Sequence, residues 1–560
     1  MSASPGSPAD FDAAAVRAWI DDDIDPAAAE ELASLLAQSA AGSAAADAEL
    51  ADRFSAPLTF GTAGLRGPLR AGPNGMNRTV VRRAAAGIAA WLDAQRVDAG
   101  SLAVIGYDAR HGSRDFAHDS AAILAAAGYR AAILPGPLPT PVLAFAVRQL
   151  GAVIGIMVTA SHNPAQDNGY KVYLGGTGAV DDGAQIVPPA DEQIEAAIRA
   201  VGPTRAIPMS DAYEVIGHAL TDLYVRETAD VAPHGPRQLA IVHTALHGVG
   251  SVVAQRVLGA AGFLAPVVVA EQAKPDPDFP TVAFPNPEEP GALDLAIALA
   301  RDVGADIVLA NDPDADRCAV AAPIGGQWRM LRGDEVGALL ADDMLRRGVT
   351  GTYATTIVSS TVLRAMTTAH GVGYRETLTG FKWISRAADD LVFGYEEALG
   401  YAVAPTLVRD KDGISAAVVM AALAARLKAQ GRTLGDRLDD IAREYGVHAT
   451  DQISVRVSDL AIIADAMARL RAHPPALLLG KATTVQDLLP DTDAIILRFA
   501  GGRVVVRPSG TEPKLKAYLE VVAPVAGGAD ATDAALEHAR ASAADRLQTL
   551  RAEVSAALAL

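Results

Sequence analysis

Three aspartates on alternate residues stand in the string Asn311-Asp312-Pro313-Asp314-Ala315-Asp316-Arg317, directly after the apolar run Ile307 to Leu309. Carboxylates so spaced can converge on one hard cation with oxygen ligands. An EF-hand opens the same way, but it needs glycine at its sixth position and glutamate at its twelfth, where this chain has Arg317 and Pro323. That motif is excluded. The plain alternative is an acidic turn on a solvated face. A stiffening proline and an apolar strand just before it weigh for a metal instead. Three carboxylates without further protein ligands leave coordination positions open, which suits magnesium and a phosphate oxygen.

A second string, Thr159-Ala160-Ser161-His162-Asn163-Pro164, follows the apolar run Val153 to Val158. A serine just past a strand end, with a histidine beside it, could be a nucleophile exposed at a loop tip. An isolated serine before a proline turn reads more simply as a helix cap, so the weight rests on the whole segment. Lys171, ten residues on (171 − 161) in Asn168-Gly169-Tyr170-Lys171, could return to that loop. In Val504-Val505-Val506-Arg507-Pro508-Ser509-Gly510-Thr511-Glu512-Pro513, a strand ends in arginine before a turn with two hydroxyls and several backbone N–H groups. A guanidinium fork beside a nest of amide dipoles is a phosphate cradle, although turn residues alone would mark only a turn. The segment Phe60 to Gly67, which contains Arg66, has phosphate-loop-like glycines, but no Gly-Lys-Ser/Thr follows, so it is no nucleotide P-loop. Glu396 and Glu397 form a carboxylate pair between Gly394 and Gly400, suited to sugar hydroxyls. Arg409-Asp410-Lys411-Asp412-Gly413 reads as a solvated charge run.

The elements that must position these segments are strand-like runs alternating with alanine-rich helical stretches. The runs include Leu102 to Ile105, Ala131 to Leu134, Val153 to Val158, Leu239 to Val242, Pro266 to Val269 and Ile307 to Leu309. Such alternation predicts an α/β fold with mostly parallel pairing, and open α/β sheets offer ligand sites at their strand ends. Roughly the first 50 residues read as a helical extension, with Trp19, Ile20, Leu32, Leu35 and Leu36 as a stripe packed on the main body. Breaks rich in Gly and Pro fall near Gly202-Pro203, near Pro323 to Gly326 and near Gly446. The last part has an alternating strand from Gln452 to Val457, a hairpin-like pair around Gly501-Gly502 and a C-terminal helix. The expected domains are residues 1–50, 51–205, 206–325, 326–447 and 448–560.

At 560 residues the chain is too long for one hydrophobic core. Its hydrophobic fraction is 50% with only 5% aromatics, so alanine-rich helices carry much of the burial. No apolar run reaches the ~18 residues that span a bilayer, and Met1-Ser2-Ala3-Ser4-Pro5-Gly6 has no basic n-region of a signal peptide. Cys318 is the single cysteine, which excludes an internal disulfide and a cysteine-based zinc site. The formal net charge of −18 argues against nucleic acid or anionic membrane as partners. A cytoplasmic location is expected. An acidic protein that binds phosphorylated ligands must concentrate cations locally, so arginines and lysines set in loop motifs carry weight.

Taken in order from about Phe60 to Leu519, these segments resemble the α-D-phosphohexomutase superfamily of phosphoglucomutases and phosphomannomutases. Phe60 to Gly67, Gly106-Tyr107-Asp108-Ala109-Arg110, Phe284-Pro285-Asn286-Pro287-Glu288, Thr379-Gly380-Phe381-Lys382 and Tyr395 to Tyr401 are most similar to its phosphoglucomutase-2-like and phosphopentomutase-like branch. The resemblance implies three similar α/β domains with mixed sheets and a smaller C-terminal α+β domain around a central cleft. It implies a mutase that interconverts the 1-phosphate and 6-phosphate of glucose or mannose through a phosphoserine enzyme and a sugar bisphosphate. A phosphopentomutase or a glucose 1,6-bisphosphate synthase is the alternative.

By the same likeness Ser161 is the phosphoserine and, with Asp312, Asp314 and Asp316, holds magnesium. Arg66 and Lys171 stand at positions implicated in proton transfer and charge neutralisation, with His162 in support. Arg317 and Lys411 match positive residues near the transferring phosphate and the substrate. Lys382 and Glu396 match substrate-binding positions, Glu396 for the sugar hydroxyls, and Arg507, Ser509, Gly510 and Thr511 match the loop that grips the non-reacting phosphate. A phosphorylated sugar is the implied partner and glucose 1,6-bisphosphate the implied activator. One departure concerns Ala398: many members carry serine there, and its loss loosens the tie to any particular hexose.

Overall fold

The computed structural model describes residues 11–60, 64–457, 460–509 and 514–558. Gly510 and Thr511, expected in the phosphate cradle, lie outside the described residues. The chain forms two compact units, each assembled from separate stretches of sequence. The first runs to Ala232 and adds Ala240–Cys318 and Thr406–Val418; the second takes Pro233–Leu239, Ala319–Pro405 and the chain from Val419 onward.

The first unit opens with helices Ala13–Asp22, Pro26–Ala40 and Ala44–Arg53, whose starts are set by side-chain caps from Asp12, Asp25 and Ser43. Val16, Leu32 and Leu50 meet in one cluster, and Trp19, Ile20, Leu35 and Leu36 pack against it. Thr79 Oγ1 donates to Asp23 Oδ1 at 2.7 Å, which ties this helical layer to helix Arg78–Ala94.

Beyond it lies a six-stranded sheet built from β1 (Gly64–Pro68), β2 (Leu102–Tyr107), β3 (Arg130–Ile133), β4 (Ile154–Val158), β5 (Asp167–Leu174) and β6 (Glu214–Val215), in the order β1-β5-β4-β2-β3-β6. Strands β4, β2, β3 and β6 run parallel, and both faces of β2 and β4 are buried, which is why those segments read as unbroken apolar runs. Strand β5 pairs antiparallel with both β4 and β1, so the sheet is mixed, as the resemblance implies, rather than parallel throughout. The cause is length. Residues 159–166 are too few for the crossover of a dozen or more that a parallel return needs. The hairpin places Lys171 opposite Met157 on one side and Gly64 on the other, with Arg66 opposite Gly169. In the same unit β7 (Ile241–Thr244) runs parallel to β8 (Val267–Val268) and β9 (Ile307–Ala310).

In the second unit, Gly325 and Gly326, both at positive φ, make the two-residue turn of the hairpin Ala319–Ile324 with Gln327–Met330. A four-stranded sheet follows in the order Gly373–Thr377, Thr352–Thr356, Leu391–Glu396, Gly400–Ala402. A five-stranded antiparallel sheet takes the order Val447–Arg456, Lys514–Ala523, Gly502–Pro508, Ile495–Phe499, Thr484–Asp487. Leu550, Val554 and Leu558 of the last helix, Asp533–Leu558, bury against it. Among the described residues, no single helix is long and apolar enough to cross a membrane.

Candidate active site

The loop after β9 coils so that its alternate aspartates face one point. Ala315 takes a left-handed φ of 56°, its N–H donates to Asp312 O at 2.9 Å, and Arg317 N–H donates to Asp312 Oδ1 at 3.1 Å. Asn311 Nδ2 closes the coil on Arg317 O at 2.7 Å. One oxygen from each of Asp312, Asp314 and Asp316 lies within 4.8 Å of the others, and all three side chains are fully buried. An acidic turn on a solvated face is thereby excluded. Ser161 Oγ donates to Asp312 Oδ2 at 2.9 Å, with His162 Nδ1 3.2 Å from the same hydroxyl. The expected exposure of Ser161 at a loop tip is corrected: with the aspartate loop against it, the residue is 1% exposed.

Cations surround the trio. Lys171 Nζ lies 2.8 Å from Asp314 Oδ2 and 2.9 Å from Asp316 Oδ2, and Lys411 Nζ lies 3.1 Å from Asp316 Oδ2. Arg317 Nε stands 3.7 Å from Asp316 and 3.9 Å from Asp312. Arg66, on β1, donates to Asn163 Oδ1 at 3.2 Å and feels the charge of Asp314. Thr140 Oγ1 donates to Asp314 Oδ2 at 2.7 Å. After these contacts, Asp314 Oδ1 and Asp316 Oδ1 remain buried without a hydrogen-bond partner among the described residues. Buried oxygens are rarely left so. Converging carboxylate oxygens with spare lone pairs are what a hard divalent cation satisfies, so the trio could hold a metal ion.

The charges tune one another. Burial, then repulsion by Asp314 and Asp316, pushes the Asp312 carboxyl well above the usual range. Burial works against Asp314 and Asp316 too, but Lys171 holds both below it, helped at Asp316 by Lys411 and Arg317. Burial likewise opposes the Lys171 ammonium, and the attraction of Asp314 and Asp316 overcomes it, so its pKa rises. Burial, with Arg317, Arg66 and Lys411 nearby, drives His162 well down, which leaves a neutral imidazole at pH 7.

The string Arg409-Asp410-Lys411-Asp412-Gly413, expected as a solvated charge run, is buried throughout. Its partners come from far away in sequence. Tyr173 OH and Gln185 Nε2 donate to Asp410 Oδ2 at 2.8 and 2.7 Å, and Tyr224 OH donates to Asp412 Oδ1 at 2.9 Å. Asp412 also accepts from Ile414 N and Ser415 N, starting the helix Gly413–Ala429. A Cβ on Gly413 would sit 2.1 Å from Arg317 O, so only glycine lets this stretch lie against the aspartate loop and deliver Lys411.

The remaining candidates belong to the second unit. Glu396 ends its strand buried opposite Gly400, and Glu397 Oε2 accepts from Ser359 Oγ at 2.8 Å. Burial, then the neighbouring Glu396, raises the Glu397 carboxyl, while Lys516 eases it. Arg507 pairs with Lys516 in register, and burial followed by Glu397 raises the Tyr518 hydroxyl against the pull of Arg507. The glutamate pair and the Arg507 strand therefore share one electrostatic neighbourhood. Ser509 N donates to Lys514 O at 2.8 Å. Lys382 is buried, and its Nζ lies 5.5 Å from the ring centroid of the adjacent Trp383. The sequence assigns no site role to Thr140, Arg110 or Asp410, although Arg110 ends the string Gly106 to Arg110 and Asp410 lies in the charge run. For Thr140 the one available signal is a polar residue set beside an apolar run.

Four family models match the chain in order. Phosphoglucomutase/phosphomannomutase, alpha/beta/alpha domain I covers residues 57–204, domain II covers 222–325, domain III covers 332–445, and the C-terminal domain covers 453–535. The chain belongs to the phosphoglucomutase/phosphomannomutase family, with its three α/β domains, C-terminal domain and mixed sheets, and is an intramolecular phosphotransferase of that type. Among its relatives is a protein named "Probable phosphomannomutase" from Haemophilus influenzae, 47% identical over 82% of this chain and 95% of that protein. Human phosphopentomutase is 36% identical over 85% of this chain and 87% of its own length. A crystal structure from Thermus thermophilus, of a protein assigned as a phosphomannomutase, matches with a TM-score of 0.68 at 26% identity, over 88% of this chain and 99% of that one.

Proposed function

We propose that the protein interconverts the 1-phosphate and 6-phosphate of glucose, mannose or both, through a phosphorylated Ser161 and a sugar bisphosphate. One observation carries this reading: the Ser161 hydroxyl lies 2.9 Å from Asp312, in a buried all-oxygen trio where Asp314 and Asp316 each keep an oxygen without a hydrogen bond among the described residues. Phosphate esters react among the slowest of all bonds in water, with enhancements up to ~10²¹ required. The protein's task is to align the attacking and leaving oxygens and to neutralise spread negative charge.

Asp312, Asp314, Asp316 and the phosphorylated Ser161 would hold Mg²⁺, which when bound supplies neutralising charge beside the phosphoryl group. The chain's own residues do the rest. Arg317 and Lys411, both beside Asp316, would neutralise charge on the transferring phosphoryl group. As a sugar hydroxyl oxygen bonds to phosphorus, the bond from phosphorus to Ser161 Oγ breaks, and the hydroxyl proton ends on the freed Ser161 oxygen, restoring its hydroxyl. Arg66 and Lys171 serve proton transfer and charge neutralisation at the reacting oxygens. Neutral His162 steadies the serine oxygen without adding charge. Glu396 accepts hydrogen bonds from sugar hydroxyls, and Lys382 adds a cation to the substrate. Arg507, Ser509, Gly510 and Thr511 grip the phosphate that is not reacting. The other phosphate of the bisphosphate then returns to Ser161, and glucose 1,6-bisphosphate primes the enzyme.

A second reading, phosphopentomutase, is favoured by the human relative of that name and by Ala398 in place of a hydroxyl. A panel of glucose, mannose, glucosamine and ribose 1-phosphates with trace glucose 1,6-bisphosphate separates the two by kcat/KM. The proposal expects a hexose to lead and Ser161→Ala to abolish turnover. Ribose 1-phosphate in first place would select the second reading. Full activity in Ser161→Ala would overturn both.

A further inference from the structure

We propose that Arg110 is a positioning residue that holds Ser161 in its reactive conformation by gripping the backbone of the loop around it. The inference rests on Ser161 being the phosphorylated residue. Ser161 has a φ of 53°, in the left-handed region. A residue with a Cβ is held there at a cost of ~1–3 kcal/mol, and such a conformation persists only where its surroundings over-determine it. Something must supply that determination.

Arg110, just beyond β2, supplies it. Its Nη2 donates to Ser161 O at 2.8 Å and to Asn163 O at 2.5 Å, and its Nη1 donates to Pro164 O at 2.7 Å and to Asp167 O at 3.1 Å. All four acceptors are main-chain carbonyls, three in the connection between β4 and β5 and one on the first residue of β5, so the loop wraps one guanidinium. The guanidinium is itself fixed. Asp108 Oδ2 lies 3.4 Å from its Nε, Asp108 Oδ1 accepts from Arg110 N at 3.0 Å and from Ser113 Oγ at 2.6 Å, and the Phe279 ring centroid lies 4.9 Å from its Cζ. The whole residue is buried.

A planar fork with five N–H donors can serve four carbonyls at once, whereas an ammonium is a point charge with three donors. Releasing the loop would let Ser161 Oγ drift from Asp312, and a misplacement of about 1 Å can cost ~10²-fold in rate. Arg110 also feels the charges of Asp312 and Asp314, so simple electrostatics is the rival account. Lysine keeps the charge and loses the fork, which separates the two.

In the full-length enzyme, Arg110→Lys should lower kcat by ~10²-fold with KM changed less than about threefold. Single-turnover phosphorylation of Ser161 by glucose 1,6-bisphosphate should slow by the same factor, and added guanidinium ion should restore part of the rate in Arg110→Ala. A phosphorylation rate in Arg110→Lys within about threefold of wild type would overturn the proposal. Should the arginine variants fail to fold, Asp108→Asn, which keeps the fork but loosens its anchor, should slow phosphorylation at least about threefold, and an unchanged rate would overturn it equally. Wild-type protein that turns over without phosphate on Ser161 would sink the phosphoserine reading itself, a different outcome from a phosphorylated wild type with unaffected variants.

Discussion

Replacing Lys171 with methionine keeps the length and apolar stem of the side chain and removes one charge from beside the aspartate trio. Lys171 Nζ sits 2.8 and 2.9 Å from Asp314 and Asp316. At an effective dielectric of ~20, each contact carries about 6 kcal/mol of gross attraction. Stripping water from the three charged groups offsets most of that. Removing one partner from a buried pair still costs ~3–5 kcal/mol, since Asp314 is left behind with neither water nor an ion-pair partner among the described residues, while Asp316 keeps Lys411 and Arg317. Domain stabilities run to ~5–15 kcal/mol and a unit of this size loses ~1.5 °C per kcal/mol, so the first unit should melt roughly 4–8 °C lower in EDTA. A divalent cation would bind the same carboxylates without the opposing charge of the ammonium. At ~100 times its Kd, Mg²⁺ stabilises by about 2.7 kcal/mol, so its effect on melting should be larger in Lys171→Met than in wild type. Differential scanning fluorimetry with EDTA and with saturating MgCl₂ reads both. A variant that melts within about 2 °C of wild type in EDTA, or gains no more from Mg²⁺, would refute the argument.

Asp410→Asn keeps the shape of the Lys411 support but loses its charge to Tyr173 and Gln185. Hydrogen bonds to charged groups are worth ~1.5–3 kcal/mol each, so melting of the first unit should fall and kcat should drop ~10-fold or more as Lys411 loosens. Tyr173→Phe should do the same more weakly, and steady-state kinetics with a melting curve checks both. In the second unit, burial raises Asp334 to about 7, although Ser360 N and Tyr395 OH both donate to it. Its folded pKa lies above its unfolded value, so ionisation weakens the fold as pH climbs from about 4 to about 7. The full difference is worth roughly 4 kcal/mol, and the half-buried position of Asp334 brings it nearer ~2–4 kcal/mol. Asp334→Asn should therefore raise the melting temperature at pH 8 and leave it nearly unchanged at pH 4, as thermal melts across pH can read.

What the sequence reveals here depends on how far apart the cooperating residues lie. The aspartate trio and the Ser161 loop are contiguous strings after apolar runs, so their chemistry can be read directly. Lys171 is legible because the 159–166 connection is short enough to force a hairpin. Arg110, Thr140 and Asp410 are not legible in this way. Each reaches its partner across 50 to 240 positions of chain, brought there by the order of strands, as with Thr140 to Asp314 and Tyr173 to Asp410. The burial of the charge run escapes the sequence for the same reason. Charged strings are normally solvated, and here tyrosine hydroxyls from distant segments replace the water. Nor could composition indicate that Thr406–Val418 would leave its sequence neighbours to join the first unit.

The measurement that bears most directly on the mechanism is the location of phosphate on the protein. Wild-type enzyme incubated with glucose 1,6-bisphosphate and Mg²⁺ should, after digestion and mass spectrometry, carry one phosphoryl group on the peptide containing Ser161. The label should be lost on adding a hexose monophosphate, and it should fail to form with EDTA or in Asp314→Asn. Phosphate on another residue, or an active enzyme that never acquires it, would contradict the account.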